Sequence, residues 1–107
     1  MITRSVFVFA GLALGLAMNT AQAAGDPVEG ARKAKTCMGC HGVKGYRNAY
    51  PTYRVPKLGG QYQEYLVTAL KEYRSGARQH PTMEIQGASL TDQDMLDIAA
   101  FFSQAQK

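Results

Sequence analysis

The sequence predicts an all-α domain of about three helices joined by two substantial loops. Three observations carry that expectation. Two stretches in the second half of the chain place their apolar residues on one face at the helical period, a third opens with the residues that start helices, and no convincing strand alternation appears.

The first two dozen residues differ from the rest. Arg4 gives a short positive start, and Ser5 to Met18 is apolar or small at every position. That run is short for a membrane-crossing helix and has the size of a signal-peptide core. Ala21 and Ala23 supply the small residues that a signal peptidase requires, so residues 1–23 read as a signal peptide and 24–107 as the exported domain. An uncleaved anchor is the competing reading.

Within that domain, Asp26-Pro27-Val28-Glu29 offers a capping carboxylate, a proline at the first helical position and an acid in the first turn. A short helix is expected from about Pro27 into the cysteines, with Val28, Ala31 and Ala34 as its apolar stripe and Gly30 as a point of close approach. Gly42 to Gly60 carries Pro51, Pro56 and several glycines and reads as a loop. Gln61 to Ser75 recovers the helical period through Tyr62, Tyr65, Leu66, Ala69, Leu70 and Tyr73, and Gly76 follows where a left-handed residue is wanted. Ala77 to Ser89 reads as a second loop. In the last helix Thr91 caps, Asp94 reciprocates, Leu90 packs against Met95, and Met95, Leu96, Ala99 and Phe102 mark the apolar face.

A domain of this size buries a modest core and often needs a disulfide, a metal or a cofactor to reinforce it. The chain has only two cysteines, so a disulfide framework is not available. Twelve basic residues face 8 acidic ones, for a net charge of +4, and no dense basic run interleaved with aromatics points to nucleic acid.

The cysteines stand in KTCMGCHG, with Cys37 and Cys40 two residues apart and His41 next. Four chemistries compete for that pattern. A redox dithiol needs a strand–helix setting that this helical chain lacks. Zinc needs a fourth ligand from His80 or a carboxylate. A disulfide would close a very small loop and leave His41 unexplained. Covalent haem uses every residue: two thiols add across the vinyl groups of one porphyrin, and the next imidazole turns onto the iron. The spacing favours haem c, one group per chain.

CMGCHG, PKLGGQ at Pro56 to Gln61 leading into YLVTALKEYRSGAR, and a loop methionine before LTDQDMLDIAAFF occur in one order. In these motifs, from about Asp26 to Ala105, the chain resembles the class I cytochromes c of bacteria, of the small c-553/c4-like type. The resemblance implies a cytochrome c fold wrapped around a single haem, with thioethers from Cys37 and Cys40, His41 as proximal ligand, and a distal methionine. It also implies that the Pro56 carbonyl receives the other ring N–H of His41, orienting the imidazole and raising its basicity. One departure stands out. Many family members carry an aromatic residue four positions before the first cysteine, where this chain has Lys33; Gly30 with Phe101 or Phe102 is left to make the helix crossing.

Five methionines compete for the distal place. Met1 and Met18 leave with the leader, Met38 lies inside the attachment loop, and Met95 belongs to an apolar helix face. Met83, in the irregular stretch His80-Pro81-Thr82-Met83, is the expected ligand, with His80 as the bis-histidine alternative. A thioether raises the potential relative to imidazole and fills the coordination sphere, which suits conduction over catalysis. Tyr46, Tyr50, Tyr53, Tyr62, Tyr65 and Tyr73, together with Arg74 and Arg78, are candidates for haem or propionate contacts. Lys35, Lys44, Arg47 and Lys57 could rim the site for an acidic protein. The function expected is a periplasmic single-electron carrier, not an enzyme, working between transient redox partners as a monomer or weak dimer without stable membrane insertion. The alternatives are a haem subunit of a dehydrogenase or oxidase, and a ligand-sensing or peroxidatic haem protein should Met83 not stay on the iron.

Overall fold

The computed structural model describes residues 24–42, 47 and 53–105, which form five α-helices. Residues 1–23, the expected signal peptide, and Lys44, Tyr46, Tyr50 and Pro51 lie outside the described residues. Among those described there is no strand, only an isolated antiparallel bridge between Arg47 and Arg54, and no helix is long and apolar enough to cross a membrane.

The first expected helix is two. α1 (Pro27–Lys33) ends at Ala34, whose backbone (φ −81°, ψ 4°) leaves the helical basin, and α2 (Lys35–His41) restarts at once and carries the cysteine motif. Asp26 caps α1 through the amides of Val28 and Glu29. Its expected stripe is corrected in part: Ala34 is buried as expected, but Val28 is 76% exposed and Ala31 is exposed, and Gly30 is buried in their place, with Cys37 packed against the core. The positions fall four and three apart, a helical face carried by residues too small to look apolar.

α3 (Gln63–Ser75) buries Leu66 and Ala69 and ends on Gly76, whose φ of +83° is the left-handed conformation that glycine adopts without penalty. The expected loop from Ala77 to Ser89 is also corrected. Eight of its residues form α4 (Pro81–Ala88), which begins on a proline and carries Glu84 in its first turn. α5 (Asp92–Gln104) opens with the full capping box, in which Asp94 N–H donates to the Thr91 hydroxyl and Thr91 N–H to the Asp94 carboxylate.

The core is small and lies where α5 packs against α1 and α3: Ala34, Leu66, Ile98, Ala99 and Phe102 cluster, and Met95 is fully buried. At the α1–α5 crossing the backbones nearly touch. A Cβ on Gly30 would stand 1.9 Å from the Asp97 carbonyl oxygen and 2.9 Å from the Phe101 Cβ. Beside that notch, Lys33 Nζ reaches the carboxylates of Asp97 at 2.6 Å and Asp94 at 2.9 Å. Asp97 Oδ1 also accepts from the Asp26 amide and the Gln93 side chain. A lysine thus stands at the crossing and is satisfied by charge instead of ring packing.

Candidate functional site

α2 is the origin of the site. It ends on His41, so its last turn delivers Cys37, Cys40 and His41 to one region, and Gly42 closes the helix with its amide on the Met38 carbonyl. His41 Nδ1–H donates to the Pro56 carbonyl at 2.8 Å, which in the neutral ring leaves the lone pair on Nε2. The Pro56 segment is held in turn. Gly60 N–H donates to the Phe102 carbonyl at 2.9 Å, and Gln61 N–H and side chain reach the Leu58 and Lys57 carbonyls.

Cys37, Cys40, His41, Pro56 and Met83 all line one cavity of about 390 Å³. That volume falls within the roughly 300–1,000 Å³ of pockets that hold small molecules and cofactors. Its apolar wall comes from Leu58 on the loop, Leu66, Ala69 and Leu70 on α3, Leu90, and Ile98 and Phe102 on α5. The other methionines are placed elsewhere: Met95 is fully buried in the core, and Met38 lines a separate recess of about 170 Å³ beside His41 and Lys57.

The two thiols are free, and burial pushes the Cys37 thiol above its ordinary value against hydrogen bonding from Thr36 and its own backbone. A redox dithiol needs the opposite shift. Among the described residues no three His, Cys, Asp or Glu side chains gather as a zinc site requires. The residues present do fit a porphyrin: paired thiols, an imidazole, a thioether and a largely apolar lining.

Met83 is not on a loop. It is the third residue of α4, and its amide N–H donates to His80 Nδ1 at 3.3 Å, so His80 is the helix cap. The signal that α4 exists was in the sequence, as Pro81 with Glu84 three residues on; an imidazole in the capping place concealed it. His80 also lines the cavity, and the cap bond leaves only its Nε2 available for any other partner.

The remaining candidates separate by position. Tyr53, Tyr65, Tyr73 and Arg78 line the cavity, and the Arg78 guanidinium donates to the Tyr65 hydroxyl at 3.3 Å and lies 5.0 Å from the centre of the Tyr73 ring. The bond to Tyr65 pushes Arg78 above its ordinary value despite some desolvation, so it stays charged. Arg74 faces away and pairs with Asp92 at 2.7 Å. Tyr62 is 82% exposed and outside the lining. Arg54 and Lys57 stand on the cavity wall, whereas Lys35 and Arg47 are exposed outside it.

Comparison with known proteins gives a consistent result. The family model described as cytochrome c matches residues 28–106. A cytochrome c4 of Pseudomonas aeruginosa is 40% identical over 94 residues, covering 86% of this chain and 44% of that protein. A cytochrome c-554(548) of Halomonas halodenitrificans is 41% identical over 83 residues, covering 75% of this chain and 96% of that protein. Among solved structures, reduced recombinant cytochrome c4 from Pseudomonas stutzeri superposes with a TM-score of 0.63 at 36% identity, covering 78% of this chain and 47% of that one. The chain spans about half the length of the c4 relatives it matches.

Proposed function

The chain belongs to the cytochrome c family, and from that premise we propose a single-electron carrier of the periplasm with histidine and methionine on the iron. Haem c is the family's cofactor, Cys37 and Cys40 fit its attachment motif, and an electron-carrying c-type haem protein of c4 type is what the relatives describe. The finer assignment is that Cys37 and Cys40 would form the two thioethers, His41 Nε2 and the Met83 thioether would hold the iron, and the Pro56 carbonyl orients His41. Bound haem supplies an iron that alternates between ferric and ferrous states.

One observation carries this reading. His41, with its Nδ1 held by Pro56, and Met83 line the same cavity as both cysteines. The chain's own contribution is arrangement. Pro56 makes the imidazole a better donor, Met83 favours the reduced state, and the apolar wall from α3 and α5 keeps solvent from the iron. Arg78, charged and on the wall, is the cation best placed for a propionate. Export follows from the composition of residues 1–23, and the redox partners are proteins bound through a small, transient interface.

Spectra of the holoprotein test the assignment. The ferric form is expected to show the methionine-to-iron charge-transfer band, and the reduced form to refuse carbon monoxide. Met83→Ala removes the band and admits carbon monoxide. Carbon monoxide binding by the reduced wild type would move the protein to the ligand-sensing or peroxidatic class.

A further inference from the structure

We propose that His80 is a positioning residue for Met83, its imidazole holding the helix turn that presents the thioether. The inference rests on the assignment of Met83 to the iron made above.

The first amides of a helix have no partner within it and fray unless a side chain accepts from them. In α4 the amide so held is that of Met83, on His80 Nδ1 at 3.3 Å. Backbone and side chain of the proposed ligand are therefore governed at one residue. Histidine is not among the strongly preferred capping residues, since its ring must be aimed to serve as an acceptor. Here the aim is supplied from outside α4. The Tyr53 ring meets His80 edge-on, with centroids 4.6 Å apart and planes at 83°, and Tyr73 approaches at 6.4 Å and 77°. Tyr73 is itself covered by Arg78. Pro81 fixes the next backbone angle, so the turn from His80 to Met83 is constrained at each step.

An acceptor at Nδ1 requires the ring proton on Nε2. His80 thus presents a lone pair to the helix and keeps its N–H at Nε2, on a ring that lines the cavity. Loss of the cap would leave the first turn of α4 able to open, and Met83 would compete less well against an external ligand.

The test uses ferric holoprotein with free imidazole as the competing ligand. The charge-transfer band reports Met83, and urea unfolding is measured beside it. His80→Ala is expected to bind imidazole about fivefold more tightly, the factor that a lost N-cap represents. His80→Asn, which keeps a capping oxygen, is expected within about twofold of wild type. Tyr53→Leu, which frees the ring but leaves the cap, is expected to raise imidazole affinity about two- to threefold, and serves also if His80→Ala takes up no haem. Wild-type affinity in His80→Ala, or in Tyr53→Leu should that be the variant available, overturns the proposal. So does equal weakening in His80→Asn and His80→Ala, or a lowered urea midpoint with no change in imidazole binding. Absence of the band from wild type overturns the ligand assignment itself, and the inference with it.

Discussion

Lys33 occupies the place where the family resemblance leads one to expect an aromatic ring, and the structure explains how the chain manages without one. Asp97 is 3% exposed, and burial alone would raise its carboxyl. Lys33, the Asp26 amide and Gln93 outweigh that and hold it below its usual value, while the hydrogen bonds that Lys33 donates to Asp97 and Asp94 hold the lysine above its own. Asp94 is likewise lowered, chiefly by Lys33. A lowered carboxylate contributes stability above its unfolded value of about 4 and loses it as pH falls through the folded value; a raised lysine contributes below about 10.4 and loses it as pH rises further. The cluster's own contribution to stability is therefore expected to be level between about pH 4 and 10 and to fall on both sides. Asp97→Asn should cost about 2 kcal/mol at neutral pH and flatten the acid limb, as read by urea unfolding, which leaves ion pairs unscreened. An acid limb as steep as that of wild type would exclude the cluster as its source. None of this was legible beforehand, because Lys33 and Asp97 stand 64 residues apart and each alone reads as a solvated surface charge.

Helix by helix, legibility followed local chemistry. α5 was readable to its cap, since Thr91, Asp94 and Leu90 lie within a few residues of one another. α3 was readable from its period and Gly76. The break at Ala34 was not, because nothing in Arg32-Lys33-Ala34-Lys35 opposes a helix; tertiary packing of Ala34 decides it. α4 was missed because its cap is a histidine. The α1–α5 crossing gives the sharpest prediction at this scale. In an ordinary helix interior, Gly→Ala stabilises by roughly 1 kcal/mol. At Gly30 the added methyl would meet the Asp97 backbone at 1.9 Å, so Gly30→Ala is expected to destabilise by roughly 1–3 kcal/mol, the usual cost of overpacking. A rise in urea midpoint would mean that the two helices separate without penalty.

For the molecule as a whole, the cysteine pair and His41 were the most legible part of the site, because covalent attachment dictates their spacing along the chain. Pro56 and Met83 needed the resemblance, since their places are set by distance in space. Half of the described core residues are alanines, beside Leu66, Met95, Ile98 and Phe102, and Leu58, Leu70 and Leu90 pack against the core while also lining the cavity. Part of the apolar surface of the core therefore faces the cavity and not another side chain. Cys37→Ala with Cys40→Ala, which removes both attachment points, is expected to lose most helical circular dichroism at room temperature and to unfold without a cooperative transition. A cooperative, helical apoprotein would show that the chain alone completes the fold.

The Phe102 carbonyl accepts from Gly60 on the loop at 2.9 Å and from Ala105 at the end of α5 at 3.1 Å. Four residues before Gly60, Pro56 grips the imidazole. Fraying of the final turn thus tugs, through one shared oxygen, on the strap beneath His41. Damage at that end of α5 would announce itself first as a drift in redox midpoint, while the bulk of the molecule still melts as before.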